Sequence, residues 1–594
     1  MHDVVRKNGS SSLPKLALAL WLAIAALLVY LSWSSISARS GWDPDDQLRM
    51  VQLRDFLAGQ SWFDTTQYRL NAPEGGPMHW SRLIELPLAL IMILATPLFG
   101  PVGAEMIAGT LVPLTCFGLV AYMLGRIAAH LGSPMAGTVA VVMTMVSPAI
   151  SMQLRPMRID HHGWQLVCAA LALWTLFWPA ARKAGICMGV ALAVWLHISL
   201  EGAPVTAAFF GLLGWRWAMA SESDGSRLGY TIVAFLTASL TLFFSTQLGG
   251  IAADNYCDTI SPAHIYAIIA ASAVIAPAAF ALPPNKVLRF AALGLAGGAA
   301  IAVLLWQAPA CAQGAFSTMD PVVRDYWYVR VNEGMPVWHQ KWAVALSLLG
   351  VPIAGAICLL FLGGSIAKDR KAEYAGLAIL LVYSALLALL VFRTISLATL
   401  IAVPLVAVAI THLFASYRSE AQPLKRVGLF ALMILLLMPG AFIAQAMTLL
   451  SSKAAAEAAA DKTPDALKAE KCESIESVSQ LAKLEQANIL APFDLGPAIL
   501  LTTPHSVVAS SHHRNQKGMR AQIDMYRLPE AQSHAIVRSR NISHIVACTG
   551  EAEMRGYEKR NPDGLWAQLA KGNTPDWLEP LPDMGDGLKV WRVR

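Results

Sequence analysis

Charge is scarce in this chain. Lys, Arg, Asp and Glu make up 14% of its 594 residues, where a soluble domain carries about 25%. That shortage, together with 56% hydrophobic residues and a mean hydropathy of +0.50, excludes a soluble enzyme and a disordered chain. There is no collagen-like period and no internal repeat, and the low-complexity content is confined to one Ala-rich stretch past residue 450. The eight cysteines include no CxxC pair, so neither a zinc finger nor a thioredoxin-like motif is indicated. No small-residue cleavage site follows the first apolar run, which is too long for the core of a signal peptide. The net charge of +6 is no argument for nucleic acid, and no nucleic-acid partner is expected.

What is present is a series of apolar runs long enough to cross a bilayer. The first ends near Ile36, after a basic tail with Arg6, Lys7 and Lys15. Thirteen more follow at roughly 84–99, 104–128, 134–153, 163–180, 184–199, 203–219, 228–247, 263–282, 287–308, 341–364, 373–392, 395–415 and 426–449. Basic residues favour cytoplasmic loops. If the run 84–99, short and interrupted by Glu85, Pro87 and Pro97, does not cross, the loops with Arg126, Arg182, Lys183, Lys368, Arg370 and Lys371 all fall inside. Thirteen spans are therefore expected, with 84–99 re-entrant or lying on the surface. The fold class is a polytopic α-helical membrane protein, 1–449, with outer segments 37–103 and 309–340. A small C-terminal α/β domain, 450–594, follows outside the cytoplasm. It opens with the helical pattern SSKAAAEAAADKTPDALKAEK, and short β-like runs come at Ala498–Thr502, His505–Ala509, Ile545–Ala547 and Leu588–Val593.

Carboxylates beside a bilayer are costly and usually functional. Under this topology four polar features share the outer side. The first is GWDPDDQLR, with Asp43, Asp45 and Asp46, which can hold a divalent cation through hard oxygens, serve as a general base, or form a solvated turn. The second is RPMRIDHHGWQ. There Asp160, His161 and His162 suit Mg²⁺, Mn²⁺ or Zn²⁺, and Arg155 and Arg158 suit phosphate, although Asp160 can equally cap the next helix. The third is the long aromatic loop 309–340, carrying Asp320, Asp325, Glu333 and His339, either a substrate clamp or an interfacial loop. The fourth is Arg393 in LVFRTISLATL, which can meet a lipid phosphate or reach the interface. Trp42, Trp62, Tyr68, His79 and Trp80 can stack on sugar or sit in an aromatic belt. Cys257, Cys311, Cys472 and Cys548 all fall on the outer side, where an oxidising compartment would allow two disulfides.

In order and sidedness these features resemble the GT-C membrane glycosyltransferases, and in particular the catalytic subunit of oligosaccharyltransferase. In that family an Asp follows the first span, which Asp45, and after it Asp43, would match. An Asp-containing pair in a later outer loop is matched by Asp160 and His162, where a His stands in place of the second acid, a Glu of the long loop by Glu333, and a pyrophosphate-binding Arg by Arg393. The family signature WWDYG is similar to APFDLGP, with Phe493, Asp494, Leu495 and Gly496. The absent tryptophans and the Leu in place of Tyr argue against recognition of a Ser/Thr sequon.

The resemblance implies transfer of a sugar or glycan from a polyprenyl-phosphate or diphosphate donor to a glycan, lipid or protein acceptor. Asp45, Asp43 and Glu333 would be catalytic, and a divalent metal (Mn or Mg) would be held by Asp45, Asp160 and His162. Arg393, Arg155 and Arg158 would bind phosphate; Asp494, His512, His513 and Arg514 would contact the acceptor. A bacterial inner membrane, with the N-terminus cytoplasmic and the C-terminal domain periplasmic, is the expected setting. A transporter or flippase of lipid-linked glycan, and a non-catalytic scaffold, are the readings from other classes.

Overall fold

The computed structural model describes residues 2–219, 222–247, 249–364, 366–450, 472–582, 584 and 587–594. Most of the expected Ala-rich helix, 451–471, lies outside these. Among the described residues nine helices are long and apolar enough to cross a membrane. The expected runs near 134, 163, 203 and 426 fold as shorter helices, Pro134–Val146, His162–Thr175, Ala203–Met219 and Pro423–Leu437.

The helix Ile395–Ser419 is the hub. Its sequence is apolar on every side, and such a helix belongs in a core rather than on a surface. Every residue from Ile395 to Ile410 is buried. Its alanines let neighbours approach closely: a Cβ added at Gly355 would stand 2.6 Å from Ala402 Cβ. By contrast Leu13–Leu31 and Lys286–Gln307 are each only 11% buried, so they lie at the rim, where apolar side chains face lipid.

The run 84–99 is helical and continues into the next helix, Glu85–Leu131, across a break at Gly100 with φ 69°. A left-handed φ costs glycine nothing. Before the break Leu88, Ala89, Met92 and Ala95 are buried in one cluster with the helix Pro44–Leu57 and the C-terminal region. Leu90, Ile93, Leu94 and Leu98 on the other side are exposed. Beyond the break, Leu114–Leu131 joins the core of the membrane bundle.

The C-terminal region holds a five-stranded mixed sheet in the order β2-β1-β3-β5-β4. The strands are β1 (Asn488–Leu490), β2 (Ser506–Val507), β3 (His544–Cys548), β4 (Leu578–Pro580) and β5 (Leu588–Val593). β1 pairs parallel with β2 and β3, and β5 antiparallel with β3 and β4. Three of the expected β-like runs overlap strands. The fourth does not: Ala498–Thr502 belongs to the helix Leu495–Thr502. A short run that is apolar throughout carries no period to tell strand from helix; Pro497 in the first turn favours the helix, and every residue from Leu495 to Leu501 is buried.

Among the ties that join this region to the rest are those made by Leu70, Arg69 and Arg54 of the first outer segment. Leu70 bridges to Val507, with Asn71 N donating to Val507 O at 2.7 Å and Val507 N to Arg69 O at 2.8 Å. Arg69 caps the carbonyl end of Leu495–Thr502, donating to Leu500 O at 2.7 Å and Thr503 O at 2.8 Å. Arg54 donates to Leu501 O at 2.6 Å and pairs with the buried Glu105. These two arginines border a shallow depression of about 500 Å³, and both are occupied in docking. Both disulfides, Cys257–Cys311 and Cys472–Cys548, are formed.

Candidate active site

The helix Pro44–Leu57 begins as its sequence dictates. Asp43 is extended and caps it, accepting from Asp45 N at 3.0 Å and Asp46 N at 3.1 Å, while Pro44 occupies the first helical position. Asp46 completes the capping box and does more. It is 1% exposed and accepts from Trp42 N (2.9 Å), Ile159 N (2.8 Å) and Asp160 N (3.0 Å). One carboxylate thus fastens the DPDD turn to the RIDHH loop, 114 residues away.

Arg158 stands among the acids. It pairs with Asp43, with Asp46 at 3.4 Å and with Asp160 at 2.8 Å. Burial alone would raise the Asp160 carboxyl, but Arg158, His162 and His161 outweigh it and hold Asp160 below the usual carboxylate range. Asp45 is different. Its carboxylate has no hydrogen-bond or ion-pair partner among the described residues. Burial first, then the charges of Asp43, Asp160 and Glu333, push it well above its ordinary value. Its residue is nevertheless partly open to water. Partly accessible, yet ringed by acids, Asp45 marks an acidic cleft.

The wall of the cleft is a second group. His162 Nε2 is 3.7 Å from Asp160 Oδ2, and His161 Nε2 is 3.6 Å from Glu201 Oε2. Glu201, just past the helix Ala181–Ile198, also pairs with Arg393 and accepts from Gln165 at 3.2 Å. Burial would raise Glu201; Arg393 and the two histidines hold it well below its usual value. Arg393 reaches Glu333 of the long loop at 3.9 Å. The loop is tied at both ends of this stretch: Asp320 pairs with Arg520 at 3.2 Å, and Phe392 N donates to Met335 O at 3.2 Å.

Asp43, Asp45, Asp160, His162, Glu333 and Arg393, expected from sequence, are therefore brought to one cleft. The remaining expected residues fall elsewhere or act differently. Arg155 stacks its guanidinium on Trp42, and Arg158 is spent on three carboxylates. Asp494 is at the start of Leu495–Thr502 with an exposed side chain; the surrounding protein raises its carboxyl against a hydrogen bond from Ser511, and Asp43 adds to the rise. Phe493 is buried among Tyr526, Tyr557 and Trp566, so the signature stretch offers no indole to the cleft. His512, His513 and Arg514 engage His79 and Asp258: His79 and His512 share a hydrogen bond of 2.9 Å, and Asp258 accepts from His513 at 2.7 Å and from Arg514 at 2.7 and 2.9 Å. Burial first, and then the other two imidazoles, push His79 well below its usual value.

The residues present fit a divalent cation. Oxygens of Asp43, Asp46 and Asp160 lie within 4.8 Å of one another, as do single ligand atoms of His161, His162 and Glu201. Six carboxylates (Asp43, Asp45, Asp46, Asp160, Glu201 and Glu333) lie near four guanidiniums, Arg158 and Arg393 in direct pairs and Arg155 and Arg49 at longer range, so negative charge still exceeds positive. Asp45 stands in neither close group and adds to this excess.

No protein-family model matches the chain, and no curated protein matches it. Solved structures do. The oligosaccharyltransferase AglB of Archaeoglobus fulgidus, in complex with an inhibitory peptide and a dolichol-phosphate, aligns at a TM-score of 0.63 and 14% identity, over 95% of this chain and 72% of that one. The chain shares the fold of that archaeal enzyme. The same archaeal enzyme tethered to an acceptor peptide containing the NVT sequon aligns at 0.60 and 14% identity, over 94% and 71%. Its complex with Zn and sulfate aligns at 0.57 and 14% identity, over 90% and 68%. The shared fold thus covers both the helical bundle and the C-terminal sheet. Sequence reasoning left Glu201 outside its site, although an acid next to His197 at the end of an apolar run was a signal. Asp258, beside Cys257, gave none.

Proposed function

We propose that the chain is a membrane glycosyltransferase. It moves a sugar or glycan from a polyprenyl-phosphate or diphosphate donor to an acceptor at the outer face of a bacterial inner membrane. Residues 1–449 would bind the lipid-linked donor, and 450–594, on the periplasmic side, would border the acceptor. The observation that carries this reading is the meeting of Asp45, Asp160, His162, Glu333 and Arg393 in one cleft of a GT-C fold. The neighbour AglB was solved with dolichol-phosphate and with acceptor peptides, which supports a lipid-linked donor.

The chemistry follows from the charges. The donor already carries a good leaving group, so the protein must hold the phosphate, stabilise the charge that develops there and aim a nucleophile. Arg393, poised between Glu201 and Glu333, would exchange these carboxylates for phosphate oxygens by charge-assisted hydrogen bonds. Asp45, with its raised carboxyl and no partner, would orient the acceptor and take its proton. A divalent metal would find Asp160 and His162, two of the three expected ligands, in the close groups, with Asp45 beside them, and would supply Lewis acidity to the leaving phosphate. With no indole at Phe493, the acceptor is something other than a protein sequon. A transporter is disfavoured by the same facts: its polar groups would lie near the bilayer midplane in broken or repeated helices.

The test is transfer of labelled sugar from a polyprenyl-linked donor by purified protein, with and without Mn²⁺ or Mg²⁺. Transfer by the wild type that is lost in Asp45→Ala supports the reading. No transfer from any donor by folded protein, or equal transfer by the variant, overturns the activity or the site respectively.

A further inference from the structure

The imidazole cluster outside the cleft joins three parts of the chain. His79 comes from the first outer segment. Asp258 comes from the stretch between the helices Glu222–Thr246 and Pro262–Ala281. His512 and His513 come from the turn after β2. We propose that His79, His513 and Asp258 form a site for a zinc-class transition-metal ion, which clamps the C-terminal region to the membrane part.

The donor set is the first argument. One ligand atom from each of the three residues lies within 4.8 Å of the others. Two imidazoles and one carboxylate suit Zn²⁺, Co²⁺ or Ni²⁺ over Mg²⁺ or Ca²⁺. Three protein ligands leave a fourth position for water.

Orientation is the second. Metal-binding carboxylates are themselves commonly held by hydrogen bonds. Asp258 accepts both arms of Arg514 and sits next to the Cys257–Cys311 disulfide. Arg514 in turn packs on Tyr256, 4.0 Å from the ring centre. Because Arg514 already neutralises Asp258, an ion that binds by charge alone gains little here. One that binds imidazole nitrogen gains most.

The third argument is an orphan. His512 is 2% exposed, and its Nδ1 is buried with no hydrogen-bond partner among the described residues. Its Nε2 meets His79 Nδ1 at 2.9 Å. The rings of His79, His512 and His513 lie 4.7 to 5.3 Å apart, which concentrates ring nitrogens at one place. A docking contact built only on the Asp258–Arg514 pair needs none of them.

The experiment titrates the metal-stripped full chain with Co²⁺ and reads the visible d–d bands. The wild type is compared with the double variant His79→Gln, His513→Gln and with Asp160→Asn, His162→Gln in the cleft. We expect a band that the cleft variant keeps, that excess Mg²⁺ does not displace, and that the His79/His513 variant binds at least tenfold more weakly. An undiminished band in that variant, displacement by Mg²⁺, or no binding by the wild type overturns the proposal. Should the variant fail to fold, melting of the wild type decides. Stripping must lower the midpoint and Zn²⁺ restore it; a midpoint indifferent to both overturns the site.

Discussion

The acidic cleft and the imidazole seam are both anchored on the first outer segment, yet they are built on opposite electrostatic principles. In the cleft, carboxylates outnumber guanidiniums, and beside the buried Asp46 and Asp160 two side chains stay open to water: Glu201 is 35% and Glu333 48% exposed. In the seam, Asp258 is matched by Arg514, with side chains 11% and 13% exposed. The cleft keeps an unbalanced charge where a ligand can reach it. The seam is balanced and less exposed, as suits a contact that holds regions together. The proposed activity and the cohesion thus rest on different clusters, and each can be broken alone.

The largest separation is expected for Asp45→Asn. Loss of a positioned acid–base group costs about 10²–10⁴-fold in rate. Since the Asp45 carboxylate has no partner among the described residues, the melting midpoint should stay where it is; a transfer assay beside a thermal melt reads both. Asp46→Ala sharpens the contrast inside the cleft itself. It removes a buried, paired carboxylate, for which about 3–5 kcal/mol of stability is expected to go, measured by denaturant titration. An Asp46 variant as stable as the wild type would refute its fastening role.

The seam is next. Replacing Cys257 and Cys311 by Ser should cost about 2–4 kcal/mol and raise hydrogen exchange around Asp258, with exchange near Asp45 unchanged. A smaller effect concerns pH. His79 and His512 titrate below their ordinary 6.5, burial being the largest cause, opposed by Asp258 and reinforced by His513 and Arg514, with Arg49 also facing His512. Below 6.5 the unfolded chain therefore binds more protons than the folded one. Stability should be full above that value and fall as pH drops beneath it, by up to about 1.4 kcal/mol per pH unit for each group. His512→Gln should flatten the slope of melting midpoint against pH; an unchanged slope would remove His512 from the account. The smallest effect belongs to neither cluster: Glu579→Ala, which loses the exposed pair with Arg592 at 3.9 Å, should move stability by no more than about 0.5 kcal/mol.

Much of the fold and the cleft is legible in the sequence, for physical reasons. Bilayer spans are written as long apolar runs, and acids beside them are too costly to be incidental. Hence Asp45, Asp160, His162 and Arg393 stand out in the amino-acid sequence alone. Asp43 and Asp46 are legible as a helix start, since capping is a local affair. Long-range pairing has no such local trace. Nothing near Glu201 announces Arg393, 192 residues on, and nothing near Asp258 announces Arg514. The turn at His512–Arg514 reads as an exposed polar stretch because its partners come from two other segments. The stretch Ala498–Thr502 misleads because uniform apolarity hides its period.

The small bridge between Leu70 and Val507 also carries information about time. The two residues are more than four hundred positions apart. At about 5–20 residues per second, the ribosome reaches Val507 roughly 20–90 s after Leu70. Throughout that interval Arg54 and Arg69 wait without the helix they cap, and His79 without its imidazole neighbours. A nascent chain halted before residue 488 would own every acid of the cleft, but no strand of the five-stranded sheet. Synthesis of the last hundred residues therefore sets the moment at which the two regions can join.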